Sequence, residues 1–373
     1  MNEASGPHLR RGWTTGTCAT AAVRAAFEAV VTGHFPDPVV VTLPRGARPA
    51  FALALQERGE DFARAGVVKD AGDDPDVTHG ALVIATVRRS PAGCGVSFKA
   101  GEGVGTVTRA GLPIQPGEPA INPVPRAMMR QALEEAAALL AVRADCEIEI
   151  AIPGGEELAK RTLNGRLGIV GGLSILGTTG IVVPFSCAAW IATIHRGIDV
   201  ARAEGLDHIA GATGATSEAA VRELHDLSEV ALIDMGDFVG GMLKYVRSHP
   251  VRRVTIAGGF AKMTKLAQGL LDLHSKRGEV DRARLACFVA AAGGDDAMVE
   301  SVAGANTALE VLERTRAAGL ELSAHVADAA WNTAANVLQR DDILLDIAIF
   351  DREGGLLAET QAKPAVLRGV AAP

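Results

Sequence analysis

Residues 164–184, NGRLGIVGGLSILGTTGIVVP, decide how the rest of the chain is read. The stretch holds six glycines, one charged side chain (Arg166), and a Thr178–Thr179 pair between Gly177 and Gly180. From Leu167 onward it carries no formal charge over a length adequate for a membrane span. Glycine every few residues and the stop at Pro184 argue instead for short buried strands and tight turns, because glycine adopts the positive φ that such turns need. A core strand pair with glycine turns is one reading. The other is a crossover at the joint of two domains, where glycine lets a ligand approach the backbone. Composition changes across the stretch, which favours the joint.

On the N-terminal side the pattern is mixed. Thr14, Thr15 and Thr17 flank Gly16 just before an Ala-rich amphipathic helix, CATAAVRAAFEAVV. Hydroxyls there are natural N-caps, and the free N–H groups of a first turn can also hold an anion. Asp37–Leu43 reads as a strand paired with Ala50–Leu55 across PRGAR. VVKDAGDDPDVTHG (67–80) crowds Asp70, Asp73, Asp74 and Asp76 beside Lys69 in a Gly/Pro turn between two strands. Such a loop is either a solvated turn or a set of carboxylates held at a sheet end for a cation or a ligand. A buried acid beside like charges is expected to have a raised pKa, which suits proton transfer near neutral pH. AGEGVGTVT (100–108) is Gly-dense but precedes no helix, so it reads as a β-hairpin rather than a dinucleotide fingerprint. INPVPR leads into a helix with proline near its first turn, and 145–152 alternates as a strand.

Beyond Pro184 strands alternate with helices, which predicts a parallel sheet with ligands at the carboxyl ends of its strands. Gly211 and Gly214 form a glycine turn after the first strand, and Asp234 ends the second about twenty residues later, where an acid commonly holds ribose hydroxyls. Gly258 and Gly259 open the helix that carries Lys262 and Lys265, and His274 reads as the C-cap of that helix. A helical tail (295–319, then 324–340) closes with a hairpin-like pair, DILLDIAIFDREGGLLAET. The expected organisation is an α+β domain over 1–184, then an α/β Rossmann-like domain with a parallel sheet over 185–373.

Composition narrows the function. Net charge is −7 and aromatics are 4% with one tyrosine, so no nucleic-acid partner is expected. MNEASGPHLRRGW has no apolar segment, so no signal peptide and a cytoplasmic location are expected. Five scattered cysteines without a C-x-x-C pair support neither a disulfide framework nor a zinc knuckle, and the histidines lack metal-ligand spacing, so no protein-bound metal is expected.

TTGTCATAA (14–22), VVKDAGDDPDVTHG (67–80), AGEGVGTVTRAGL (100–112), GEPAINPVPRAMM (117–129), LGIVGGLSILGTTGIVVP (167–184) and KLAQGLLDLHS (265–275) occur in this order. Together they resemble the cobalt-precorrin-5B C1-methyltransferase (CbiD) family. The resemblance implies methyl transfer from S-adenosylmethionine to C1 of a contracted corrinoid, with 1–184 facing the macrocycle and 185–373 facing the cofactor. The macrocycle supplies the carbon nucleophile, so neither a catalytic triad nor a protein metal is needed, and any cobalt belongs to the substrate. Asp70, Asp73 and Asp74 are the expected catalytic acids. Thr14, Thr15, Thr17, Lys69, Asn122, Arg126, Thr178, Thr179, Lys262 and Lys265 are expected to bind the polycarboxylate substrate, and Gly211, Gly214, Asp234, Gly258 and Gly259 the cofactor. Two departures stand out: GGFAKMTK (258–265) replaces a Gly-His-x-Gly-Lys pattern, and His79 stands where Asn is common. A nicotinamide-dependent tetrapyrrole reductase and a non-catalytic corrinoid carrier are the alternatives, and a homo-oligomer is possible.

Overall fold

The computed structural model describes residues 9–275 and 277–367, so part of the segment from which a signal peptide was judged absent lies outside the described residues. The chain divides into two compact units, Met1–Ser186 and Cys187–Pro373. Each has its own hydrophobic core. Among the described residues no helix is long and apolar enough to cross a membrane.

The N-terminal unit runs β1 (Gly12–Trp13), α1 (Thr15–Thr32), β2 (Val39–Val40), β3 (Ala50–Phe51), β4 (Leu55–Arg58), β5 (Phe62–Val68), β6 (Leu82–Arg89), β7 (Val96–Ala100), β8 (Thr106–Val107), α2 (Pro123–Leu139), β9 (Cys146–Ala151), α3 (Gly155–Ala159), β10 (Ile169–Val170) and β11 (Ile181–Val182). Five strands form one sheet, β4-β5-β6-β9-β7, antiparallel except for β9–β7. The two-residue period of a strand places Ala63, Ala65 and Val67 on one face of β5, and Val83, Ala85 and Val87 on the matching face of β6; all six are buried. They share a core with α1, whose Ala19, Ala22 and Ala26 are fully buried. The expected strand pair 37–43 and 50–55 is present as the shorter β2–β3.

Two local expectations fail. AGEGVGTVT forms no hairpin: β7 pairs in parallel with β9, and β8 pairs with β10. Gly103, at φ +70, diverts the chain between them. A Cβ on Gly103 would lie 2.0 Å from the Ile152 carbonyl oxygen and 2.8 Å from the Gly155 nitrogen, and one on Gly172 would lie 2.3 Å from the Gly103 carbonyl carbon. The glycines there admit backbone against backbone. Likewise the strands of the opening stretch do not pair with each other, since β10 joins β8 and β11 joins β1.

The C-terminal unit runs α4 (Cys187–Ala203), β12 (His208–Ala212), α5 (Ala215–His225), β13 (Leu232–Asp234), α6 (Val239–Ser248), β14 (Arg253–Gly259), α7 (Phe260–Ala267), α8 (Arg282–Ala291), α9 (Asp296–Ala303), α10 (Ala308–Ala317), α11 (Leu322–Leu338), β15 (Arg340–Phe350), β16 (Leu356–Glu359) and β17 (Lys363–Ala365). The strand order is β13-β12-β14-β15-β16, parallel from β13 to β15, with β16 and β17 antiparallel on β15. Ile209, Ile233, Val254, Ile256, Leu345 and Ile347 face a large helical core, while Ala210, Leu232, Ala257, Ala348 and Phe350 face a smaller cluster with Val221 of α5. α7 ends at Ala267 with Gln268 as its C-cap, so His274 is not the cap: the last turn closes through the Gln268 N–H instead. The continuous helix expected over 295–319 is two. α9 stops at Ala303, and Thr307 caps α10 by accepting from the Glu310 N–H.

Candidate functional site

In the C-terminal unit the chain passes from β12 to β13 on one side and then to β14 on the other. Loops leaving the carboxyl ends of β12 and β14 therefore diverge, and a crevice opens at that switch point. A cleft of about 320 Å³ lies there, lined by Thr213–Ser217 after β12, Gly259–Lys262 after β14, and Phe350–Arg352 after β15. Both helices that begin in it lack a side-chain cap: Gly214 precedes α5 and Gly259 precedes α7, and neither supplies an oxygen. Their first-turn N–H groups and the positive ends of their dipoles are thus available to an anionic or hydrogen-bonding ligand.

The expected cofactor residues divide by position. Among the described residues, a Cβ on Gly214 or Gly259 meets nothing within 4 Å. These two glycines line the cleft. Gly211 lies inside β12, where a Cβ would be 2.3 Å from the Met242 sulfur, and a Cβ on Gly258 would be 2.7 Å from the Met263 methyl. Both serve packing beneath the loops. Asp234 ends β13 level with Ala212, and its carbonyl accepts the Trp190 indole N–H at 3.2 Å, outside the residues lining the cleft. The lysines also part. Lys262 reaches the cleft and pairs with Asp237. Lys265 turns inward and donates to the Leu273 carbonyl at 3.0 Å. Three residues apart, they share a face of α7, and it is their partners that separate them.

In the N-terminal unit the loop after β5 is held by charge. Lys69 is 1% exposed, and its Nζ donates to Asp76 Oδ2 at 2.6 Å. Asp76 also accepts from the Thr78 N–H and hydroxyl, at 2.8 and 2.6 Å. Burial pushes the Asp76 carboxyl up, but the hydrogen bonds from Lys69 and Thr78 and the Lys69 charge outweigh it, and the pKa is lowered. The Arg10 guanidinium grips Asp70 through both oxygens, and with the Gly72 N–H it holds that carboxyl down to about 2. The raised values expected for this loop are therefore corrected for Asp70 and Asp76: each faces a cation rather than another carboxylate. Asp73 accepts the Arg10 backbone N–H, and Asp74 accepts the Phe185 N–H at 2.8 Å. His79 Nδ1 accepts the Ala71 N–H at 3.1 Å, a bond that closes the loop on itself. A cleft of about 440 Å³ is lined by Asp73, Asp74, Asp76, His79, Arg161 and Phe185. Arg10, Arg161 and Phe185 were not foreseen. The Arg10–Arg11 pair beside the threonine block was the available sign, but nothing local ties it to a loop sixty residues away.

The threonines at the start of α1, Thr14 as its N-cap and Thr15 and Thr17 in its first turn, are buried and bonded within the chain. Thr14 caps α1 by accepting the Thr17 N–H at 3.2 Å. The Thr15 hydroxyl accepts the Leu176 N–H at 3.0 Å, and the Thr17 hydroxyl donates to the Gly180 carbonyl at 2.7 Å. They fasten the helix to the turn of the opening stretch, in which Thr179 bonds Ile181 and Thr178 is exposed. Asn122 is the N-cap position of α2. Arg126 donates to the carbonyls of Ile121 and Pro119, pairs with Glu118 at 2.6 Å and lies over the Phe98 ring.

Comparison with known proteins gives the family. The CbiD family model matches residues 2–184, and the model for the CbiD C-terminal domain matches residues 272–361. The chain belongs to the CbiD family. Relatives within it named cobalt-precorrin-5B C(1)-methyltransferase include one from Methylorubrum extorquens, 64% identical over 96% of this chain and 99% of its own. Another, from Agrobacterium fabrum, is 61% identical over 97% of this chain and 96% of its own. The crystal structure of a cobalamin biosynthesis protein (cbiD) from Archaeoglobus fulgidus is 26% identical, with a TM-score of 0.38 over 83% of this chain and 85% of that one.

Proposed function

We propose that this chain transfers the methyl group of S-adenosylmethionine to carbon C1 of cobalt-precorrin-5B, a contracted corrin, in cobalamin biosynthesis. The reading rests on relatives of that name matching nearly end to end. The C-terminal unit is read as the Rossmann-like cofactor domain, on the single observation that two uncapped helix N-termini frame the cleft at the switch point of its parallel strands. Those N–H groups suit the carboxylate and hydroxyls of S-adenosylmethionine, and the bare Gly214 and Gly259 leave it room.

S-adenosylmethionine supplies an electrophilic methyl group on a sulfonium centre. The chain then has to bind, orient and exclude water, and orientation alone is worth up to about 7–11 kcal/mol of barrier. Leu309, Leu312 and Phe350 give the cleft an apolar wall, and Lys262 gives it a cation. In the N-terminal unit the cleft of the 70–79 loop is proposed to meet the macrocycle. Asp73 and Asp74 line it and can hold or take a proton there. Asp70, kept anionic by Arg10, acts as a positioning residue. Cobalt enters as part of the substrate.

Calorimetric titration with S-adenosylhomocysteine tests the cofactor site. Gly259→Val places a side chain in open space at an ordinary φ of −72, so the fold is kept while the cleft is filled. Affinity is expected to drop at least about tenfold, roughly 1.4 kcal/mol, with the melting temperature nearly unchanged. An unaltered dissociation constant moves the site elsewhere. A wild type that binds the corrinoid but never saturates with S-adenosylhomocysteine is a carrier, and one that prefers a nicotinamide nucleotide is a reductase.

A further inference from the structure

On the α5 face of the C-terminal sheet lies a polar cluster that the methyl-transfer reading leaves unused. His225 is the last residue of α5, Asp346 sits in the middle of β15, and Glu359 ends the neighbouring β16. The His225 Nε2 is 3.5 Å from Asp346 Oδ2 and 3.5 Å from Glu359 Oε1. The three ligand atoms all lie within 4.8 Å of one another. The His225 side chain is 10% exposed, and its Nε2 is sealed from solvent without a hydrogen-bond partner among the described residues. Burying such an atom unpartnered is costly, and two carboxylate oxygens facing it at that range are too far to accept a good hydrogen bond, which needs about 2.7–3.2 Å.

We propose that His225, Asp346 and Glu359 bind one divalent first-row transition-metal ion that fastens α5 to the sheet. The spacing is the first argument. Imidazole and carboxylate ligands sit about 2.0–2.2 Å from such an ion, and a tetrahedral angle then separates ligand atoms by about 3.4 Å. The observed 3.5 Å fits an ion and not a shared proton. The donor set is the second: one imidazole with two carboxylates suits zinc, cobalt(II) or manganese better than calcium, which takes oxygen ligands alone. Support around the ligands is the third. Asp346, fully buried, is oriented by the Thr255 hydroxyl at 2.7 Å and by Arg253 Nε at 2.9 Å, while His208 Nε2 lies 2.8 Å from the same hydroxyl. Such outer contacts typify ligating carboxylates. The negative end of the α5 dipole adds a favourable field for a cation beside His225. Glu359, about one-third exposed, is the route of entry.

Asp346 and Glu359 lie on consecutive strands, but His225 comes from a helix far earlier in the chain, so the spacing rules that search a chain for metal sites pass over the set. Asp346 also lies well before the end of its strand, at Phe350, where the cleft begins, so the ion is structural and takes no part in the cofactor site.

The test uses the whole chain, stripped with a chelator and titrated with Zn(II), then with Co(II), with Mg(II) as the control. Wild type is expected to take up about one equivalent of Zn(II), to melt several degrees higher with it, and to show the visible absorption of low-symmetry Co(II). His225→Ala and Glu359→Gln are expected to lose the uptake, the shift and the absorption. The conservative, partly exposed Glu359→Gln variant should retain the far-ultraviolet dichroism of the wild type, which separates loss of a ligand from loss of fold. His34→Ala, at an exposed site in the other unit, should behave as wild type. Zn(II) uptake by the wild type no greater than that of Glu359→Gln overturns the proposal, as does uptake that persists in both ligand variants.

Discussion

Lys69 is the clearest case of one residue answering to its surroundings. Its ammonium is almost wholly buried and survives there because Asp76 meets it at 2.6 Å. Removing one partner of such a pair strands a charge and costs about 3–5 kcal/mol. Asp76 is 26% exposed, so water can partly replace it and the lower end applies. Asp76→Ala is therefore expected to cost about 3 kcal/mol in urea unfolding, while Lys69→Met combined with Asp76→Ala should cost less, because the double variant leaves no unpaired charge. A double variant worse than the single would show that the pair does not act as a pair. The pH dependence has a definite sign. The folded-state pKa of Asp76 is lowered, so its contribution is complete above the unfolded value of about 3.9 and is lost as pH falls through the lower folded value. The gap between wild type and Asp76→Ala should accordingly narrow as pH falls below about 3.9.

Among the elements, the glycine junction of Gly103, Gly155 and Gly172 shows why composition alone misleads. A Gly-dense loop suggested a hairpin, and glycine in the opening stretch suggested access for a ligand. In the fold Gly103 and Gly172 let three chain segments touch through their backbones. Gly172→Ala is expected to destabilise by about 2 kcal/mol, the cost of overpacking against atoms that cannot move. Gly165→Ala, in the same stretch but with nothing within 4 Å of the added Cβ, should be nearly neutral. Thermal melts of the two variants compare contact with space in one segment. Equal melting temperatures would refute the junction.

At the scale of the molecule, the two units have separate cores, and the sheet of each is completed within its own unit. A fragment of residues 187–373 is therefore expected to melt in one cooperative transition, detectable by calorimetry. A fragment lacking such a transition would mean that its core is not self-sufficient. The same unit owes its parallel core to the far end of the chain. β15 enters beside β14 with a register running from Arg253 opposite Leu344 to Gly259 opposite Phe350.

By itself the sequence determined most of the elements and the family. Period-two burial in β5 and β6, proline in the first turn of α2, and the alternation of strands and helices after Pro184 are local signals, because a residue's period and caps act within a few positions of it. The ordered blocks from Thr14 to Ser275 carried the resemblance to CbiD. Local pattern also marked Gly211, Gly214, Gly258 and Gly259 as turn glycines at strand ends, without separating Gly214 and Gly259, which line the cleft, from Gly211 and Gly258, which are packed within their strands. Tertiary structure alone decided which strands adjoin, and so that the crevice opens between β12 and β14. It alone set Arg10 against Asp70 and Lys69 against Asp76, reversing the expected direction of their acids' pKa shifts. It alone brought His225, Asp346 and Glu359 together. The physical reason is the same in each case. Coulombic and coordinating interactions depend on distance in space, and a hydrophobic pattern fixes which face of an element is buried but not what is packed beside it.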